Sequence, residues 1–307
     1  MGESFQIVRA ELEPETGLAR PVQRLDMSGA RDDDQFVLLW LSRYSSPNTR
    51  RAYRFESDKF LRAIRARGKE IRNLTFLDAT EVMADLTEGL SPCAAARRID
   101  AIRSLYSLAM RLGYIPMNVM AAIERPKVPD GLAARILTKE QLYSMMAHAD
   151  AETKFIIKLL YISGLRVSEA AALRWKDVVE REGGKVQLTV FGKGSKTRFV
   201  LMPASIGKVL AERRKGSGDF VIEIGRSSKI HTRARRIEER VSAAGESVGL
   251  EKNPSPHWMR HAHASHALDA GAKLHVLMET LGHSDARVTS HYLHVRPGES
   301  SSDYLGE

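Results

Sequence analysis

The sequence predicts a mainly α-helical chain with one small antiparallel β-sheet, made of an N-terminal helical domain and a C-terminal domain that carries the chemistry. Three observations predict it. Between Asp32 and Gly113 apolar residues recur at helical spacing, punctuated by Ser-Pro starts and glycine stops. Lys185 to Phe191 alternates strictly, as a half-buried strand does. Eight of the ten histidines are crowded between His257 and His294.

Residues 1–30 are polar, hold Pro14, Gly17, Pro21 and Gly29, and keep no period, which predicts a flexible arm. Residues 31–123 form the helical domain. Its first helix is expected to place Phe36, Leu39, Trp40 and Tyr44 on one face. A longer one opens at Ser46-Pro47-Asn48-Thr49 and carries Tyr53, Phe60, Leu61 and Ile64. A third runs through Val82 to Leu86, and a fourth starts after Ser91-Pro92 with Ile99, Ile102, Leu105, Tyr106 and Leu108. Residues 124–136, with Pro126, Pro129 and Gly131 among basic residues, read as a linker.

Residues 137–296 form the second domain. Thr138 with Gln141 reads as a capping box, and Phe155 to Ile162 as a buried helix stopped by Gly164. Ser168 is the expected N-cap of the next helix. Arg198 to Met202 is the partner of the alternating strand, and helices follow at 204–214 and 227–244. Pro254 and Pro256 open another helix that runs to Gly271. A short one through His275 to Thr280 ends at Leu281-Gly282, and Asp285 to Tyr292 is the last. Residues 297–307 are a tail.

Composition narrows the function. A formal net charge of +9 favours a polyanionic partner. The single Cys93 excludes an internal disulfide framework. No stretch approaches the roughly 18 apolar residues of a membrane helix, and the N-terminus lacks an apolar signal core, so a soluble, cytoplasmic protein with no membrane partner is expected.

On the helix after Pro256, His257 and Arg260 stand at i and i+3 and share a face near the N-terminus, a suitable place to hold a phosphate. Taken singly, each candidate has a plainer reading. Tyr292 is one tyrosine among eight, Arg166 could cap a helix or pair with Glu169, and Lys193 could be turn solvation, with Lys196 as its neighbour. His257 and His261 at i and i+4 suggest zinc, but the glutamate of a His-Glu-x-x-His hydrolase is missing, and no metal or other cofactor is expected.

Taken together, the motifs resemble the tyrosine recombinases, the phage-integrase and Xer-like family. His257-Trp258-Met259-Arg260-His261, then Leu281-Gly282-His283, then Tyr292 match its C-terminal signature; His283 follows His257 by 26 positions and Tyr292 follows His283 by 9. Ser163-Gly164-Leu165-Arg166 matches the upstream arginine turn, and Phe191-Gly192-Lys193-Gly194-Ser195-Lys196 the lysine hairpin. The resemblance implies a core-binding domain followed by a catalytic domain, gripping duplex DNA in a C shape. It implies catalytic roles for Arg166, Lys193, His257, Arg260, His283 and Tyr292, with a 3′-phosphotyrosine intermediate and strand exchange through a Holliday junction. The implied partners are a double-stranded recombination site and accessory DNA-binding proteins. Four protomers would gather on two sites, from monomers or weakly self-associating chains, in a nucleoid-associated complex.

Arginines crowd the helical faces, and Arg50, Arg51, Arg54, Arg97, Arg98, Arg103, Arg233 and Arg235 are expected to contact DNA. Two other functions stay open. A type IB topoisomerase shares the nucleophile and clamp, and a non-catalytic DNA-binding protein could use the same scaffold. The Pro297-Gly298 interruption puts in doubt the helix that compact relatives pass to a neighbour.

Overall fold

In the computed structural model the chain is described at residues 25–129, 131–192, 197–214, 218–225 and 227–283, with Asp285, Thr289 and Tyr292. It divides into two compact units between residues 129 and 130.

The first unit is built on α1 (Asp33–Ser42), α2 (Pro47–Arg65), α3 (Phe76–Thr87) and α4 (Pro92–Arg111). Each start is a side-chain cap: Asp32, Ser46, Thr75 and Ser91 accept from backbone N–H groups in the first turn, and proline follows the two serines. Phe36, Trp40, Phe60, Ile64, Ile102, Leu105 and Tyr106 form the core. Asp33 is buried with them because it has two donors, Tyr114 Oη at 2.7 Å and the Ile71 amide at 2.9 Å. Leu39, expected on the apolar face of α1, is exposed; Val37 and Leu41 pack instead. Of the expected arm, residues 25–30 lie along this unit, the Met27 amide donating to Leu112 O at 2.8 Å. Gly113 permits that approach, since a Cβ there would collide with Leu25 O.

The second unit begins with α5 (Lys139–His148), capped by the Thr138–Gln141 box, then α6 (Ala151–Ser163) and α7 (Val167–Ala172). Ser168 lies inside α7 and does not cap it. The N-cap is Arg166, two residues earlier, because Glu169 reaches back to the Arg166 amide at 2.8 Å. Three antiparallel strands follow in the order β1 (Val178–Glu180), β2 (Val186–Phe191) and β3 (Thr197–Met202). The sequence reading missed β1, which at three residues is too short to display a period. Val186, Leu188, Val190, Val200 and Met202 face the core, whereas Phe191, Phe199 and Leu201 are exposed.

The unit closes with α8 (Ala204–Arg214), α9 (Ile230–Glu246), α10 (Pro256–Asp269) and α11 (Leu274–Leu281). α10 lies against α6, and α11 lies against α10 and β3. The expected helix from Asp285 to Tyr292 falls mostly outside the described residues. Among the described residues, no helix is long and apolar enough to cross a membrane.

Three arginines expected on a DNA-facing surface are turned inward. Arg98 is buried and bonds Glu56 at 2.5 Å and Leu86 O. Arg103 donates to Met120 O at 3.2 Å and to Ile123 O. Arg233 is 3% exposed and donates to Ala171 O at 2.9 Å and Ile222 O at 2.6 Å. A long side chain at a helical position can lay its stem along the core and give its head to carbonyls that lack donors. Arg235, by contrast, projects to solvent and pairs with Glu239 one turn on.

This difference is testable by urea denaturation. Arg233→Met strands two buried carbonyls and should destabilise the chain by about 1–3 kcal/mol. Arg235→Met should stay within about 0.5 kcal/mol of the parent.

Candidate active site

The site is assembled where the end of α6, the start of α7, α10 and the end of α11 meet. α6 stops at Gly164, whose φ of 62° is left-handed. Any Cβ at Gly164 would lie 2.7 Å from Leu281 Cδ2 and 2.9 Å from His263 Cδ2, so glycine lets this turn press against α10 and α11. Its carbonyl then faces Arg260, and the next turn presents Arg166.

Arg260 is 1% exposed. Nη1 donates to Gly164 O at 2.6 Å, and Nη2 donates to Leu281 O at 2.6 Å and His283 Nε2 at 2.9 Å. Burial, with Arg166 nearby, lowers its pKa to about 10, which still leaves it charged at neutral pH. A guanidinium only donates, so His283 Nε2 must be the acceptor and carry no proton. The proton is therefore on Nδ1, which donates to Thr289 Oγ1 at 2.8 Å. Burial and then Arg260, Arg166 and Arg198 push the His283 pKa down to about 4.

The Arg166 side chain is about two-fifths exposed, and its Nη1 donates to Glu169 Oε1 at 3.1 Å. The pairing with Glu169 is thus present, but it leaves part of the guanidinium fork open. Glu169 accepts from the Arg166 amide and from both terminal nitrogens of Arg198, each at 2.8 Å. Burial opposes its ionisation; hydrogen bonds from Arg198 and the Arg166 amide overcome that and hold its pKa below the usual value. Arg198, on β3, also donates from Nε to Thr280 O at 2.8 Å. One carboxylate thereby ties the arginine turn, the β2–β3 hairpin and the end of α11 together.

His257 is exposed on the first turn of α10, its ring 4.3 Å from that of His261. Partial desolvation, then Arg260 and Arg166, lowers its pKa, so it is neutral at pH 7 and able to accept a proton. Tyr292 is 7% exposed and packs with Leu132, Ile136, Ala264, Leu277 and Leu281. Its hydroxyl lies 2.8 Å from His261 Nδ1. Burial raises the phenol pKa, and Arg260 offsets part of the rise.

Five of the six expected catalytic residues, Arg166, His257, Arg260, His283 and Tyr292, therefore belong to one neighbourhood. Lys193, and its neighbour Lys196, lie outside the described residues; the flanking strands pair Phe191 with Thr197. Sequence reasoning missed Arg198 and the contacts of His261 and Thr289. Arg198 could have been flagged as a charge at the start of an otherwise apolar strand. The partners of His261 and Thr289 come from contacts 31 and 6 positions away, which periodicity does not encode.

Residues 135–299 match the Phage integrase family, and residues 34–113 match the Phage integrase N-terminal SAM-like domain. The chain is 32% identical over 268 residues to the tyrosine recombinase XerC of Xanthomonas campestris pv. campestris (strain B100), covering 84% of this chain and 81% of the relative. It is 30% identical over 272 residues to XerD of Shewanella oneidensis, covering 84% and 89%. The fold is similar to that of the XerH site-specific recombinase bound to palindromic difH substrate in a post-cleavage complex. There the TM-score is 0.69 at 21% identity, over 86% of this chain and 82% of that one. It is also similar to a lambda integrase dimer bound to a COC′ core site, with TM-score 0.67 at 18% identity, over 87% and 77%.

Glu169 gives the site a pH signature. Its contribution to stability is fully present above pH 4.5, its ordinary value, and is lost as pH falls through its lower folded value. Glu169→Gln should therefore lower the urea midpoint at pH 7, and the gap to the parent should narrow on acidification below pH 4.5. With the site and the matches taken together, the chain belongs to the phage integrase family, the tyrosine recombinases.

Proposed function

We infer that this family member is a site-specific DNA recombinase that cuts and rejoins duplex DNA through Tyr292. The observation that carries the reading is the gathering of two guanidinium groups, Arg166 and Arg260, with two neutral imidazoles beside a buried phenol.

The scissile phosphate enters between Arg166 and Arg260. Their planar forks neutralise its non-bridging oxygens and the extra charge that builds as the phosphorus becomes five-coordinate. The Tyr292 oxygen attacks phosphorus, and its proton passes to His257, which is neutral and exposed at the clamp. The bond to the 5′-oxygen breaks, and Lys193 gives that oxygen its proton. The products are a 3′-phosphotyrosine and a free 5′-hydroxyl. A phosphodiester is exchanged for a phosphodiester, so rejoining to another strand needs no nucleotide, and no cofactor enters the scheme. His283 assists by donating from Nε2 to a phosphate oxygen. In that role it must move its proton from Nδ1 and give up the bond from Arg260.

Recombination joins two sites, so four protomers act on two duplexes and exchange strands in pairs through a Holliday junction. Solved lambda integrase structures include a tetramer bound to such a junction. Arg50, Arg51, Arg54, Arg97 and Arg235 supply phosphate contacts along the duplex. The domains of this reading are an arm at 1–30, a DNA clamp at 31–123, a linker at 124–136, a catalytic domain at 137–296 and a tail at 297–307. The enzyme works in the cytoplasm, associated with the nucleoid when bound to DNA, and accessory DNA-binding proteins direct it to its sites.

The test uses end-labelled duplex DNA from the flanks of the gene, incubated with the protein and EDTA and then denatured. A covalent protein–DNA adduct should form with the parent and vanish in Tyr292→Phe, which should retain DNA binding. An adduct that persists in Tyr292→Phe removes Tyr292 as nucleophile. Relaxation of supercoiled DNA with no preferred cleavage position would instead indicate a topoisomerase.

A further inference from the structure

Two histidines share one face of α10. His257 is exposed in the first turn, and His261, four residues on, is 8% exposed. Four residues of α-helix advance about 6 Å along its axis. The Tyr292 hydroxyl is 2.8 Å from His261 Nδ1, so it is docked at the inner histidine. The surroundings fit a holding site: the tyrosine ring is enclosed by Leu132, Ile136, Ala264, Leu277 and Leu281, and its centroid lies 5.7 Å from that of His261.

We propose that His261 is the resting latch of the nucleophile, holding the Tyr292 hydroxyl one helical turn inside His257 until a phosphate occupies the arginine clamp. His261 is a positioning residue in this account. The bond keeps the phenol out of the solvent and short of His257, the group that accepts its proton during attack. Occupation of the clamp draws the phenol outward along the same helix face, from the inner imidazole to the outer one.

The acid–base character of the pair agrees with a holding role. Burial, then His257, Arg135, Arg260 and His283, lowers the His261 pKa to about 3, while burial raises that of the phenol. A proton shared between them therefore stays on oxygen. The contact preserves a neutral, weakly nucleophilic phenol in the DNA-free protein.

The inference rests on the reading of Tyr292 as nucleophile, and its test is chosen to fail separately from that reading. The full-length protein without DNA is treated with N-acetylimidazole, and O-acetylation of each tyrosine is followed by peptide mass spectrometry. Two tyrosines serve as internal controls. Tyr143 is exposed, and Tyr161 bonds His266 Nδ1 at 2.9 Å on the same helix. In His261→Phe, which keeps a ring of similar volume, acetylation of Tyr292 should rise about tenfold, the scale of one buried hydrogen bond, while Tyr143 and Tyr161 stay unchanged. His261→Gln, whose amide can keep the bond, should fall between His261→Phe and the parent. An unchanged Tyr292 rate in His261→Phe overturns the latch. So does a parallel rise at Tyr161, which would mean that α10 has merely loosened. If Tyr292 is not the nucleophile, either the parent forms no covalent adduct or the adduct persists in Tyr292→Phe, whatever the acetylation pattern.

Discussion

Arg260 holds the site together from inside. Its buried guanidinium joins the glycine turn after α6 to the carbonyl end of α11 and to the imidazole of His283 just beyond it, two stretches that are distant in sequence. A charged group this enclosed is costly unless its donors are used, and here they meet carbonyls at helix ends, where backbone acceptors lack partners. The carbonyl end of a helix also carries a partial negative charge, which favours a cation there. The local fold thus supplies reasons for Arg260 to be where it is, independent of any substrate.

The charge balance follows from that placement. Burial and then Arg166 lower the Arg260 pKa, burial and then the two guanidinium groups lower those of His257 and His283, and Glu169 is the buried carboxylate that partly offsets them. Glu169 is held ionised mainly by Arg198, a residue of β3, so the strand next to the lysine hairpin is joined electrostatically to the arginine turn. Burial and the surrounding positive charge keep His257 and His283 neutral, which suits His257 to take a proton and lets His283 Nε2 accept from Arg260. An arriving phosphate diester brings the negative charge that this arrangement lacks.

Much of this was legible in the sequence, for identifiable reasons. Helices with Ser-Pro starts, glycine stops and apolar faces of several turns announce themselves, as α2 and α4 do. So do short motifs whose spacing is set by local geometry, such as Ser163 to Arg166 and Leu281 to His283. What stayed hidden depends on which way a side chain turns. Arg98, Arg233 and Arg235 look alike in sequence, yet two are buried among carbonyls and carboxylates and one points to solvent. The Tyr292 hydroxyl bonds His261, one helical turn along α10 from His257. A spacing of i and i+4 puts both histidines on the same face and cannot say which one receives the hydroxyl. β1 and the start of α7 were misread because three residues hold no period and a glutamate can cap from inside the helix.

The central claim is that Arg260 acts on the charge of the scissile phosphate as well as holding the fold. It is tested most directly by single-turnover cleavage of two duplexes, one with an ordinary scissile phosphodiester and one with a methylphosphonate that lacks a charged non-bridging oxygen. On the phosphodiester, Arg260→Ala should slow cleavage by on the order of 10²–10³. On the methylphosphonate that defect should shrink by at least about tenfold, because the substrate starts uncharged and one of the two oxygens to be neutralised is gone. An equal defect on both substrates would contradict the account and reduce Arg260 to a structural bond between the ends of α6 and α11.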